Sequence, residues 1–144
     1  MQNIPGKVKL LVVEDSPADV FLVKEAMNLE GLSFQIEVLD DGEAAIQALN
    51  RVDDCCDTPP SAVLVDLNIP RKDGIQVLDR LRESPRCGAI PAIVFSSSDS
   101  PADRQRALSH GASEYFRKPS GLDEFMQLGP MMRRLLSPAR TTAA

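Results

Sequence analysis

The sequence predicts an α/β fold in which five strand–helix units wind into one parallel sheet with helices on both faces. Three observations carry that expectation. Short apolar runs alternate with amphipathic stretches five times along the 144 residues. The first, third and fourth runs are nearly all apolar, as strands covered on both faces of a parallel sheet must be. Ser16, Pro17 and Gly31 can bound the first helix, and Gly111 stands at the end of the fourth.

The elements follow in order. "VKLLVV" (8–13) is the first strand, and "SPADVFLVKEAMNLE" (16–30) has helical spacing. Ser16 can cap that helix, Pro17 suits its first position, and Gly31 can close it. "FQIEVL" (34–39) alternates apolar and polar residues and reads as a strand with one wet face. "DGEAAIQALNRV" (41–52) sets Ala45, Ile46 and Leu49 on one helical face. "DDCCDTPPS" (53–61) is a loop by composition. "AVLVD" (62–66) is a strand, and "DGIQVLDRLRE" (73–83) is a helix with Ile75, Leu78 and Leu81 inward. "AIPAIVFS" (89–96) is a strand with Pro91 near its start. "SPADRQRALSHG" (100–111) is a polar helix ending at Gly111, "SEYFRK" (113–118) is a short strand, and "GLDEFMQLGPMMRRLL" (121–136) is a helix with an interruption. Pro130 removes a backbone hydrogen bond there and should kink or split it. Leu122, Phe125 and Met126 can cover the sheet before that break. The chain reads as a single domain over 1–144, with a core over about 7–136 and a frayed tail at 137–144.

Strand 2 alternates and strand 5 is short and polar, so both suit edges. The order 2-1-3-4-5, a flavodoxin-like winding, satisfies this and places the topological switch beside strands 1 and 3. Ligands of such sheets bind outside the carboxyl ends of the strands. There strand 1 presents Glu14 and Asp15, strand 3 Asp66, strand 4 Ser96, and strand 5 Lys118. Three carboxylates at one spot repel, each pair by about 4 kcal/mol at 4 Å and an effective dielectric near 20. Lys118 supplies one compensating charge. Mg²⁺ would supply two more, since oxygen ligands with one or two carboxylates suit it. An Asp66 so placed is a plausible nucleophile toward phosphorus, because carboxylates form aspartyl phosphates. The backbone carbonyl of Asn68 can join the metal ligands, and Pro70 and Gly74 shape the turn behind Asp66.

Composition narrows the alternatives. Hydrophobic residues are 43% and charged residues 26%, ordinary for a globular domain, and the net charge of -5 argues against nucleic-acid binding. No apolar run approaches the roughly 20 residues of a bilayer span, and no signal-peptide layout opens the chain. A cytoplasmic protein is the expectation. Cys55, Cys56 and Cys87 form no disulfide framework. His110 reads as a solvated residue in a last helical turn, and Arg104 and Arg106 as a solvated helix face.

Taken together, "VVEDSPAD", "VLVDLNIPRKDG", "VFSSSD" and "YFRKP" resemble the receiver domain of two-component response regulators, over about residues 7–136. The "DLNIPRKDG" wording and the long loop before strand 3 are most similar to stand-alone regulators paired with bacterial phytochrome-type histidine kinases. The resemblance implies a signalling protein rather than an enzyme. It makes Asp66 the phosphoacceptor, Asp15 a direct Mg²⁺ ligand and Glu14 a ligand through water, with the Asn68 carbonyl completing the set. It makes Ser96 the switch hydroxyl, Lys118 the phosphoryl-binding lysine, and Tyr115 the aromatic whose rotamer reports phosphorylation. Implied partners are a sensor histidine kinase, a downstream protein or phosphotransfer domain, and a second copy through the helix 4–strand 5–helix 5 face. Gly129-Pro130 departs from the family pattern within that last helix. No output domain fits after residue 136 in this reading, so output is contact or phosphorelay.

Three other classes compete. A flavin carrier of the same winding needs a phosphate cradle after strand 1, where "EDSPAD" puts repelling carboxylates. An aspartate-based phosphohydrolase needs a second Asp two residues after the nucleophile, where Asn68 stands. A phosphorylation-independent receiver-like scaffold would have no use for the acid, hydroxyl and lysine set.

Overall fold

The computed structural model describes residues 8–69 and 71–136. Its strands are β1 (Val8–Val13), β2 (Phe34–Leu39), β3 (Ala62–Val65), β4 (Ala92–Ser96) and β5 (Glu114–Arg117). Its helices are α1 (Pro17–Leu29), α2 (Gly42–Asp53), α3 (Gly74–Glu83), α4 (Pro101–Ser109), α5 (Leu122–Phe125) and α6 (Leu128–Leu136). All strand pairs are parallel, in the expected order β2-β1-β3-β4-β5. No described helix is long and apolar enough to cross a membrane.

Alternation along each strand divides the core into two layers. Leu10, Val12, Leu64, Ile93 and Phe95 face α1, α5 and α6, where Val23, Met27, Phe125, Leu128 and Met132 meet them. Leu11, Val13, Val63, Val65 and Val94 face α2, α3 and α4, where Leu49, Leu78, Leu81 and Ala107 meet them. β1, β3 and β4 are buried on both faces apart from half-buried Lys9, which explains their unbroken apolar runs. The Ser16 cap read from sequence is formed, and α3 adds a capping box that the sequence reading did not include. The Ser16 side chain accepts from the Asp19 N–H, and Asp73 and Gln76 make a reciprocal capping box on α3.

Several expectations need correction. β4 starts at Ala92, because Pro91 has no N–H to give a ladder and Ile90 is already in a turn onto Cys87. Ile46 is only half-buried; the inward stripe of α2 is Ala45, Ala48, Leu49 and Val52. The last helix is split, as Pro130 demands, but at Met126–Gln127 rather than at the proline. The break moves upstream so that Pro130 falls in the first turn of α6, where a missing N–H costs nothing. Gly129 lets α6 close on α1, since a Cβ there would sit 2.7 Å from the Ala26 carbonyl oxygen. Leu122 is 59% exposed, and Leu128 and Met132 take the covering role expected of it. β5, expected to be polar, buries both Tyr115 and Phe116. The frayed-tail expectation and Pro70 lie outside the described residues.

Cys55, Cys56 and Cys87 are all free thiols. His110 caps α4 on the surface, its Nδ1 2.8 Å from Asp79 Oδ1.

Arg82 fastens the far end of the α3–α4 layer. Its guanidinium donates twice to the Gly111 carbonyl, at 2.9 and 2.6 Å, and to the carbonyls of Gly88 and Ile90, at 3.1 and 2.7 Å. Only the planar fork reaches all three acceptors at once. Arg82→Ala is expected to cost roughly 2–3 kcal/mol in urea unfolding, because it strips these carbonyls of their donors. Arg82→Lys should recover less than half of that loss.

Candidate functional site

The sheet ladder carries each site residue one step past its strand. The Glu14 N–H donates to the Leu39 carbonyl, the Asp66 N–H to Val13, and the Lys118 N–H to Ser96, at 2.9, 3.0 and 2.8 Å. The side chains that follow are therefore presented together at the carboxyl edge, beside the β1/β3 switch point. Gly74 permits the turn behind Asp66 to fold back tightly. A Cβ there would lie 2.5 Å from the Asp66 carbonyl oxygen. Arg71 and Lys72 take left-handed conformations, with φ of 53° and 71°, to complete that turn.

Lys118 is the centre of the cluster. Its Nζ lies 2.9 Å from Glu14 Oε1, 2.7 Å from Asp19 Oδ2 and 3.1 Å from Asp66 Oδ2. It also sits 4.6 Å from the centroid of the Phe95 ring. The second oxygens are held by backbone: Glu14 Oε2 accepts from the Ser16 N–H and Asp66 Oδ1 from the Asn68 N–H, both at 3.0 Å. Glu14 is 2% exposed and Asp66 6%, whereas Asp15 is open to solvent. Burial pushes the Glu14 carboxyl up to about 7; the Lys118 hydrogen bond opposes this and the Asp66 charge adds to it. Burial alone would lower the Lys118 ammonium. Hydrogen bonds to Asp19 and Glu14 and the charge of Asp66 outweigh it and raise its pKa above the ordinary value.

Oxygens of Glu14, Asp15 and Asp66 lie within 4.8 Å of one another. An all-oxygen donor set with a solvated member fits a hard divalent cation that keeps several waters. Asn68 lines, with Asp15, Asp73 and Asp103, an adjoining groove of about 540 Å³.

Ser96 is fully buried, and its Oγ accepts from the Ser98 N–H at 3.1 Å. Nothing among the described residues accepts from its hydroxyl. Tyr115 is turned inward, 5% exposed, and donates to the Ser98 carbonyl at 2.9 Å. The Arg104 guanidinium lies 5.2 Å above its ring, while Arg106 stays on the exposed face. Sequence reasoning placed Glu14, Asp15, Asp66, Asn68, Ser96 and Lys118 at this edge, and all are there; Tyr115 lies within β5, and only its hydroxyl reaches the loop after β4. The same reasoning missed Asp19, whose only signal was its place in the first turn of α1.

The raised Glu14 pKa sets a pH dependence. A carboxyl whose folded pKa exceeds its unfolded value contributes stability below about 4.5 that is lost as pH rises through about 7. Unfolding in the presence of a chelator should show stability falling by up to about 3 kcal/mol across that window. Glu14→Gln should flatten the slope.

Comparisons with known proteins agree with this geometry. The model of the response regulator receiver domain matches residues 10–128. The probable methanogenesis regulatory protein FilR2 of Methanothrix harundinacea is 36% identical over 115 residues, which are 80% of this chain and 74% of that protein. The response regulator Rcp1 of Synechocystis is 32% identical over 128 residues, 88% of this chain and 86% of Rcp1. A crystal structure of Rcp1 in its Mn²⁺-bound form matches with a TM-score of 0.78 and 28% identity, over 90% of this chain and 96% of that one. The phosphorylated cyanobacterial phytochrome response regulator RcpA matches with a TM-score of 0.81 and 28% identity, over 91% and 95%. With its strand order, its acidic cluster and its lysine, this chain belongs to the response regulator receiver domain family.

Proposed function

We propose that this chain is a phosphorylation switch in which a histidine kinase transfers a phosphoryl group to Asp66. One observation carries the reading: a buried strand-end carboxylate, held by the Asn68 N–H and the Lys118 ammonium, lies beside Glu14 and Asp15. Receiver domains are signalling proteins that interact with histidine kinases and downstream targets, and they bind Mg²⁺ or Mn²⁺ at an acidic site.

In this reading an Asp66 oxygen attacks phosphorus as the phosphorus–nitrogen bond to the kinase histidine breaks. The electron pair leaves with the imidazole, which takes a proton from solvent. Asp15, Asp66 and the Asn68 carbonyl would hold Mg²⁺ directly and Glu14 through water, and the ion would supply positive charge to the phosphoryl oxygens as negative charge spreads over them. Lys118 can pass from Asp66 Oδ2 to a phosphoryl oxygen while Glu14 and Asp19 keep it in place. The buried Ser96 hydroxyl has a hydrogen to give and no acceptor among the described residues, and an unsatisfied buried donor costs about 1–3 kcal/mol. A phosphoryl oxygen supplies that acceptor. The new group adds roughly -1.5 to -2 charge, enough to redraw the local hydrogen bonds. Tyr115, already inward here, would be held there by the phosphorylated arrangement.

Output then runs by contact with a downstream protein or by relay to a phosphotransfer domain, in the cytoplasm. Similarity to the cyanobacterial phytochrome response regulator RcpA supports a phytochrome-type kinase as the donor.

Incubation with acetyl phosphate and Mg²⁺ should add one phosphoryl group by intact mass spectrometry. The gain should vanish with chelator or in Asp66→Asn. An unphosphorylated wild type that also fails to bind beryllofluoride would overturn the assignment.

A further inference from the structure

Ser98 lies outside the acid–lysine cluster, yet every polar group it has is committed. Its N–H donates to Ser96 Oγ at 3.1 Å. Its hydroxyl donates to Asp103 Oδ2 at 2.6 Å and accepts from the Ser100 N–H at 3.1 Å. Its carbonyl accepts from the Tyr115 hydroxyl at 2.9 Å. Ser100 in turn caps α4 by accepting from the Asp103 N–H at 3.3 Å. One residue therefore touches the buried hydroxyl, the inward tyrosine and the first turn of α4.

The helix it touches is lightly anchored. Ala107 is the one buried residue of α4. The C-terminal end of α4 leads to Gly111, whose carbonyl is gripped by Arg82. A helix with little buried apolar surface opens and shifts at low free-energy cost. Its N-terminal position is thus set by polar bonds more than by packing. The Ser98 N–H is bonded to Ser96 Oγ, and N–H···O bonds weaken steeply with misalignment, so drawing Ser96 Oγ toward an anion on Asp66 disturbs the position of Ser98.

We propose that Ser98 is a positioning residue that transmits displacement of the Ser96 hydroxyl to the N-terminus of α4 and to Tyr115. This rests on the phosphoacceptor reading of Asp66. The bridge to α4 is the Ser98 hydroxyl, whereas the bond to Ser96 uses backbone. Ser98→Ala therefore cuts the first and spares the second.

The test is hydrogen exchange of the full chain with Mg²⁺, with and without beryllofluoride, alongside phosphoryl gain from acetyl phosphate. In wild type, beryllofluoride should change exchange of the α4 amides by about three- to tenfold, the worth of about one hydrogen bond. Ser98→Ala should still gain one phosphoryl group while its α4 amides no longer respond. Asp103→Ala, which removes the other end of the 2.6 Å bond, should lose the response too. Ser98→Thr, which keeps the hydroxyl, should restore it. An unchanged α4 response in both Ser98→Ala and Asp103→Ala overturns the proposal, as does a wild type that is phosphorylated with no α4 response. Absence of phosphoryl gain in every chain would instead remove the Asp66 reading, and this proposal with it.

Discussion

Lys118 places one positive charge among Glu14, Asp19 and Asp66, at 2.9, 2.7 and 3.1 Å. The three acids come from the ends of β1 and β3 and from the first turn of α1, and Lys118 from the end of β5. No two of these segments are adjacent in sequence except β1 and α1. The ammonium thus joins the centre of the sheet to its β5 edge and to a helix on one face. Without it, two carboxylates that are almost wholly buried would face each other with little water between them. The same arrangement leaves excess negative charge, which a hard cation at Asp15 can answer. A site that needs more positive charge than the chain supplies is responsive to anything that changes its charge.

That responsiveness has a route outward. The Lys118 N–H is bonded to the Ser96 carbonyl, and Ser96 Oγ to the Ser98 N–H. The two faces of the sheet differ in how they can answer. α1 and α6 meet through an apolar layer and the Arg133–Glu30 ion pair at 2.7 Å. α4 has a single buried side chain. Strain arriving at the end of β4 is more easily relieved by moving α4 than by disturbing the α1–α6 layer.

Much of this was legible in the sequence because apolar strands in a parallel sheet are continuous and end at fixed places. A carboxylate directly after "LLVV" or "VLV" must stand at the carboxyl edge. The order of strands followed from which runs alternate. Asp19 was not legible. An acid in a first helical turn is favourable anywhere, so nothing distinguished it from a helix-dipole partner. The break at Met126–Gln127 was misplaced because Pro130 tells only that a helix cannot continue through it. How far upstream the break falls is not fixed by the proline alone, and the close approach of Gly129 to Ala26 joins segments distant in sequence. Ile46 and Leu122 fit apolar positions by spacing, yet tertiary packing left them partly or largely exposed. The Ser98 connections were hidden inside a serine run whose hydroxyl partners are set by turn geometry.

The central claim is that the Lys118 charge holds the carboxyl edge together. The most direct test is urea unfolding of Lys118→Met against wild type at pH 8, first in chelator and then in saturating Mg²⁺. Removing one partner of a buried ion cluster should cost roughly 3–5 kcal/mol in chelator. Mg²⁺ should recover much of that loss, because it brings charge to the same carboxylates. A variant as stable as wild type in chelator would contradict the account, since the three acids would then need no shared cation.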